Sequence, residues 1–109
     1  MGRMTPKEFE KYIFRDRGCY HCGIPYDLIP HHRSNRGMGG AKSADEPSNI
    51  IAMCAAINGL MESDPEMAEL ARTYGWKLSR YSNPEIQPVY DASTGFWFRL
   101  HNNYIRTPI

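Results

Sequence analysis

Pro30-His31-His32-Arg33-Ser34-Asn35-Arg36-Gly37-Met38-Gly39-Gly40 is the stretch on which the reading of this chain turns. Two adjacent imidazoles open it, and imidazole is the side chain most used for proton transfer near neutral pH and for holding divalent metals. One of the pair can take a proton while the other holds an ion. Arg33 and Arg36 follow with rigid forks of donors suited to phosphate oxygens, and a flexible glycine-rich run comes after them. Together these groups have the chemistry of a phosphodiester site, the plain alternative being a solvent-exposed pair without a role. Leu28-Ile29 before Pro30 reads as a short strand that delivers both histidines at its end. Neighbouring strand residues point to opposite faces, so the two serve one site only if the chain bends there. Ser34-Asn35-Arg36-Gly37 supplies a place for the bend.

Working outward, residues 33–48 make a long loop without apolar periodicity, which in a small domain is functional or disordered. Ile50-Ile51 reads as a second short strand. From Met53 the pattern turns helical, with Cys54, Ile57 and Met61 on one face and Asn58 and Glu62, four apart, on a neighbouring one. Two strands joined by a loop and followed by a helix bring His31, His32 and Asn58 within reach of one point.

On the N-terminal side, Thr5-Pro6-Lys7-Glu8 is a capping box with proline at the first helical position, and it predicts a helix from about Pro6 to about Asp16, ended by Gly18. Phe9, Tyr12 and Ile13 share its inner face. On the C-terminal side, Ser63-Asp64-Pro65-Glu66 starts another helix, with Met67, Leu70, Ala71 and Tyr74 inward and Gly75 as its stop. The period then changes to two. Trp76 and Leu78 alternate with polar residues, and Val89 to Asp91, a turn at Ala92-Ser93-Thr94-Gly95, and Phe96 to Leu100 form a hairpin expected to pack on that last helix. Trp97 and Phe98 offer faces for base stacking, but aromatics at strand spacing are read as core. The last eight residues predict no element.

With 109 residues and 41% hydrophobic content, the chain supports one modest core and hence one α+β domain over residues 1–109. No apolar run is long enough to span a bilayer, and Met1-Gly2-Arg3-Met4 leads into a polar helix instead of a signal peptide, so no membrane partner is expected and the expected location is cytoplasmic. Three cysteines cannot all pair, which agrees with a reducing compartment. Net charge is only +1, yet residues 1–42 hold eight Lys or Arg against four Asp or Glu, while residues 43–109 hold five against eight. That asymmetry favours nucleic acid weakly. Cys19-Tyr20-His21-Cys22-Gly23 has the shape of a zinc knuckle, which needs two further ligands.

Cys19-x-x-Cys22, His31-His32, Asn49 and Asn58 together resemble the HNH endonucleases in their H-N-N variant. The longer strings around them, including Pro47-Ser48-Asn49-Ile50 and Asn58-Gly59-Leu60-Met61-Glu62-Ser63, are similar to small HNH proteins of bacteriophages. The resemblance implies a ββα-metal, treble-clef-like core over about residues 15–64, with the C-terminal helix and hairpin filling 65–101. It implies a metal-dependent DNA endonuclease in which His32 is the general base and Asn49 braces the loop that orients it. His31 and Asn58 hold one divalent ion, magnesium or manganese, with zinc or nickel also admitted by the imidazole. Glu62 stands behind that pair, and Arg33 and Arg36 contact DNA. The chain departs from the family at the structural zinc. Cys54 is in place as a third thiolate, but the fourth position is Ile57, a hydrocarbon, so a structural zinc is not expected. The rival is a non-catalytic nucleic-acid-binding module or a phage packaging partner; a pure binder would use Arg or Lys in place of adjacent histidines.

Overall fold

The computed structural model describes residues 4–35 and 45–109. Helix α1, Pro6–Asp16, starts at the predicted box: Thr5 Oγ1 accepts the Glu8 N–H at 3.1 Å and Glu8 Oε1 accepts the Thr5 N–H at 2.8 Å. Its stop is Arg17, at φ 71°, whose N–H reaches the Ile13 carbonyl at 2.7 Å. Gly18, expected to end the helix, serves close packing instead, because a Cβ there would lie 2.5 Å from the Gly23 carbonyl oxygen. Phe9 and Tyr12 are buried as expected, and so are Arg15 and Asp16. The Arg15 fork holds Asp16 at 2.6 and 2.9 Å and donates to the carbonyls of Pro47 and Ile50. Asp16 in turn accepts from the Ala52 N–H at 3.0 Å and the Tyr20 hydroxyl at 2.6 Å. A buried ion pair survives only when its remaining donors and acceptors are satisfied, and this one fastens α1 to the buried stretch Ile50–Ala52.

Strand β1, Leu28–His32, pairs antiparallel with β2, Ile50–Cys54, with His31 opposite Ile51 and His32 opposite Ile50. Both histidines therefore lie inside the strand pairing. A 3₁₀ turn, Pro47–Asn49, leads into β2, all of whose residues are buried. Its alternate residues feed two cores: Ile50 and Ala52 face Phe9 and Tyr12, while Ile51 and Met53 join Ile57, Met61, Ala71, Trp76 and Leu100. Helix α2, Ala55–Ser63, follows β2 directly, capped by the Cys54 sulfur, which accepts the Ile57 N–H at 3.5 Å. The strand thus runs to Cys54 and the helix starts later than the periodicity from Met53 suggested. Helix α3, Pro65–Thr73, is capped by Asp64, whose carboxylate accepts the Met67 N–H at 3.1 Å.

A second antiparallel sheet is ordered β3-β4-β5, from Val89–Asp91, Phe96–Leu100 and Arg106–Pro108. The hairpin matches the sequence reading. β5 does not; it pairs with β4, and its Arg106 bridges Asp91 at 3.0 Å and lies 3.9 Å over the Phe98 ring. Nor do Trp76 and Leu78 form a strand; Leu78 makes one isolated parallel bridge, to Ser34. Phe98 is core, whereas Trp97 faces outward against Tyr90 and Tyr74. The described chain is thus α+β, with three helices and two antiparallel sheets. None of its helices is long and apolar enough to cross a membrane.

Candidate metal and phosphate cleft

Arg33 is where sequence and structure part most sharply. The residue is 1% exposed, and all five of its N–H donors are spent on backbone carbonyls: Nε on Gly75, Nη1 on Ser48 and Pro84, Nη2 on Gln87 and Pro88, at 2.8 to 3.1 Å. Burial pushes its guanidinium down to about 10, still charged at neutral pH. A saturated, buried fork cannot grip a substrate phosphate, so the expected DNA contact is corrected: Arg33 is an internal clamp. It ties the end of β1 to the irregular segment 75–88, which the Leu78 N–H to Arg33 carbonyl bond of 2.6 Å and the Ser34 Oγ to Ser79 carbonyl bond of 2.9 Å secure further. Arg36 lies outside the described residues.

The clamped segment forms one wall of a cleft of about 750 Å³ lined by His31, His32, Asn58, Glu62, Lys77 and Arg80, among others. Both histidines reach it although they sit on opposite faces of β1. His32, exposed, also lines a neighbouring cleft with Tyr12 and Tyr104, so it stands on the rim between the two. His31 is buried, and its Nε2 lies 2.8 Å from the Trp76 carbonyl oxygen. A carbonyl only accepts, so Nε2 carries the proton and the lone pair is left on Nδ1. Burial holds this imidazole below the ordinary histidine range, with the Trp76 carbonyl and the Asn58 side chain acting the other way. A neutral ring whose second nitrogen is pinned on a carbonyl is the form in which histidine binds metal. Asn58, half-buried one turn into α2, brings its amide to the same ring. Glu62, a turn further on, is exposed and lies 3.5 Å from Lys77 Nζ.

His32 is held differently. Its Nε2 lies 2.9 Å from Asp45 Oδ1, with both side chains substantially exposed. A carboxylate oxygen accepts, so Nε2 is the donor in this contact. Asn49 is fully buried and braces the bend that follows: its Oδ1 accepts the Ser34 N–H at 2.8 Å, its Nδ2 donates to the Ser34 carbonyl at 2.9 Å, and its own carbonyl accepts the Arg33 N–H at 2.7 Å. It touches neither imidazole through these bonds. Sequence reasoning missed three lining residues. Asp45 was legible only as part of a loop end, Lys77 sits in what reads as strand alternation, and Arg80 follows directly after it.

Behind α2, the sulfurs of Cys19, Cys22 and Cys54 lie within 4.8 Å of one another, an arrangement able to hold a metal ion. Cys19 and Cys54 are buried and Cys22 is exposed. Ile57 packs into the core beside them. Comparison with protein-family models, curated proteins and solved structures finds no match to this chain.

Proposed function

We propose that the protein is a metal-dependent endonuclease of the HNH type that hydrolyses DNA phosphodiester bonds, with β1, β2 and α2 as its ββα-metal core. What supports this most is one observation: two neighbouring histidines line a single cleft with their Nε2 atoms bonded to different partners, His31 to a backbone carbonyl in the interior and His32 to an exposed carboxylate. That arrangement suits a division of labour. His32 Nδ1 takes a proton from the attacking water, and Asp45 holds the ring and steadies the imidazolium that results. His31 Nδ1 and the Asn58 amide oxygen are the donors for one divalent ion. Two protein ligands leave room for waters and phosphate oxygens, which favours magnesium or manganese, although imidazole also admits zinc and nickel. Bound there, the ion would supply Lewis-acid neutralisation of the departing 3′ oxygen. DNA is preferred to RNA on the resemblance to HNH proteins. The cysteine trio is read as holding no resident zinc, because the residue at the family's fourth ligand position is Ile57, a hydrocarbon packed in the core, and its free thiols suit the cytoplasm.

Lys77 and Arg80 take over the phosphate contact first ascribed to Arg33. Changing either to Ala should weaken DNA binding similarly for all sequences and make the log–log salt slope shallower by about one unit. A slope unchanged in both variants removes them from the interface. The function itself is tested by incubating supercoiled plasmid with the protein and Mg²⁺ or Mn²⁺, with and without a chelator. Relaxed or linear product that the chelator abolishes is expected; intact plasmid under every metal, with DNA still bound, would return the binding module to first place.

A further inference from the structure

We propose that Cys22 and Cys54 form a peroxide-oxidisable dithiol whose disulfide resets the start of α2. Their sulfurs are in van der Waals contact at 3.8 Å, one exposed at the tip of the knuckle and the other buried at the junction of β2 and α2. This is the arrangement of an accessible attacking thiol with a resolving thiol behind it. Cys19 is fully buried, and the direct sulfur–sulfur contact of Cys22 at 3.8 Å is with Cys54. In the first step the Cys22 thiolate attacks a hydroperoxide oxygen. An S–O bond forms, the O–O bond breaks, and hydroxide leaves and is protonated to water. In the second, the Cys54 sulfur attacks the Cys22 sulfenic sulfur: the S–S bond forms, the S–O bond breaks, and a second water departs. Two thiols lose two electrons and one hydrogen peroxide is reduced.

Closing the sulfurs from 3.8 Å to about 2 Å pulls Cys54 toward the knuckle. The Cys54 sulfur is also the acceptor that caps α2 at the Ile57 N–H, and Asn58 is the next residue. Oxidation therefore acts on the helix end that carries a proposed metal donor, and this part of the inference rests on the proposed function.

The test treats the reduced full-length protein with hydrogen peroxide, alkylates it and maps the peptides by mass. A peptide joining Cys22 to Cys54, lighter by two hydrogens and reversed by dithiothreitol, is expected in the wild type and in Cys19→Ser. A Cys19–Cys22 link, sulfinic acid on Cys22, or unreacted thiols would overturn it. Mn²⁺ titration of the two forms reads the coupling. Loss of affinity on oxidation, restored by dithiothreitol, supports it, and equal affinity in both forms overturns the coupling. Absence of Mn²⁺ binding in the reduced protein would instead count against the nuclease reading, while the peptide map still decides the dithiol.

Discussion

His32→Ala is expected to lower plasmid cleavage by about two to four orders of magnitude, the usual worth of a general base, while the protein stays folded and binds DNA. The structure makes this a clean substitution. His32 is exposed at the end of β1 and its ring bonds the exposed Asp45, so among the described residues removing the ring opens no hole in the core and strands no buried partner. A surface change of this kind costs about 0.5 kcal/mol or less of stability. Loss of activity would therefore report chemistry and not unfolding, which a thermal melt run alongside would check. Cleavage at near wild-type rate would show that His32 is not the base.

The opposite outcome is expected at the next residue. Arg33→Ala should destabilise the protein by about 3 to 5 kcal/mol, because it removes a buried cation and leaves carbonyl oxygens from three separate segments without donors. Arg33→Lys keeps the charge but not the planar fork, and three donors on one nitrogen cannot serve acceptors arranged around five, so it should recover only a minor part of the loss. Urea denaturation of the three proteins measures this. A loss below about 1 kcal/mol for Arg33→Ala would contradict the clamp. Activity should fall with stability in these variants, since the segment that Arg33 holds carries Lys77 and Arg80 into the cleft.

Local signals were legible where local physics decides. The Thr5–Glu8 box, the helix start within Ser63–Glu66, and the turn between β3 and β4 each fix an element within a few residues, and each element lies where its residues predict, although the cap of α3 is Asp64. The candidate site was legible in its histidines and asparagines, because strand, turn and helix bring His31, His32 and Asn58 together over a short stretch. Arg33 was misread for the converse reason. Its five acceptors come from Ser48, Gly75, Pro84, Gln87 and Pro88, and no local pattern announces that a cation will be buried among carbonyls so far along the chain. Lys77 and Arg80 were missed by the same mechanism, since they face the cleft only because Arg33 holds their segment there. The Arg106 of β5 meets Asp91 and Phe98, contacts that are equally invisible to periodicity.

The central claim is that neighbouring histidines do different jobs, and it is tested most directly by measuring plasmid cleavage against Mn²⁺ concentration for the wild type, His31→Ala and His32→Ala. His31→Ala should need more Mn²⁺ for half-maximal rate and recover part of its activity at excess metal. His32→Ala should keep the wild-type metal dependence at a rate that no amount of metal restores. A shifted metal dependence in His32→Ala together with an unshifted one in His31→Ala would contradict the assignment.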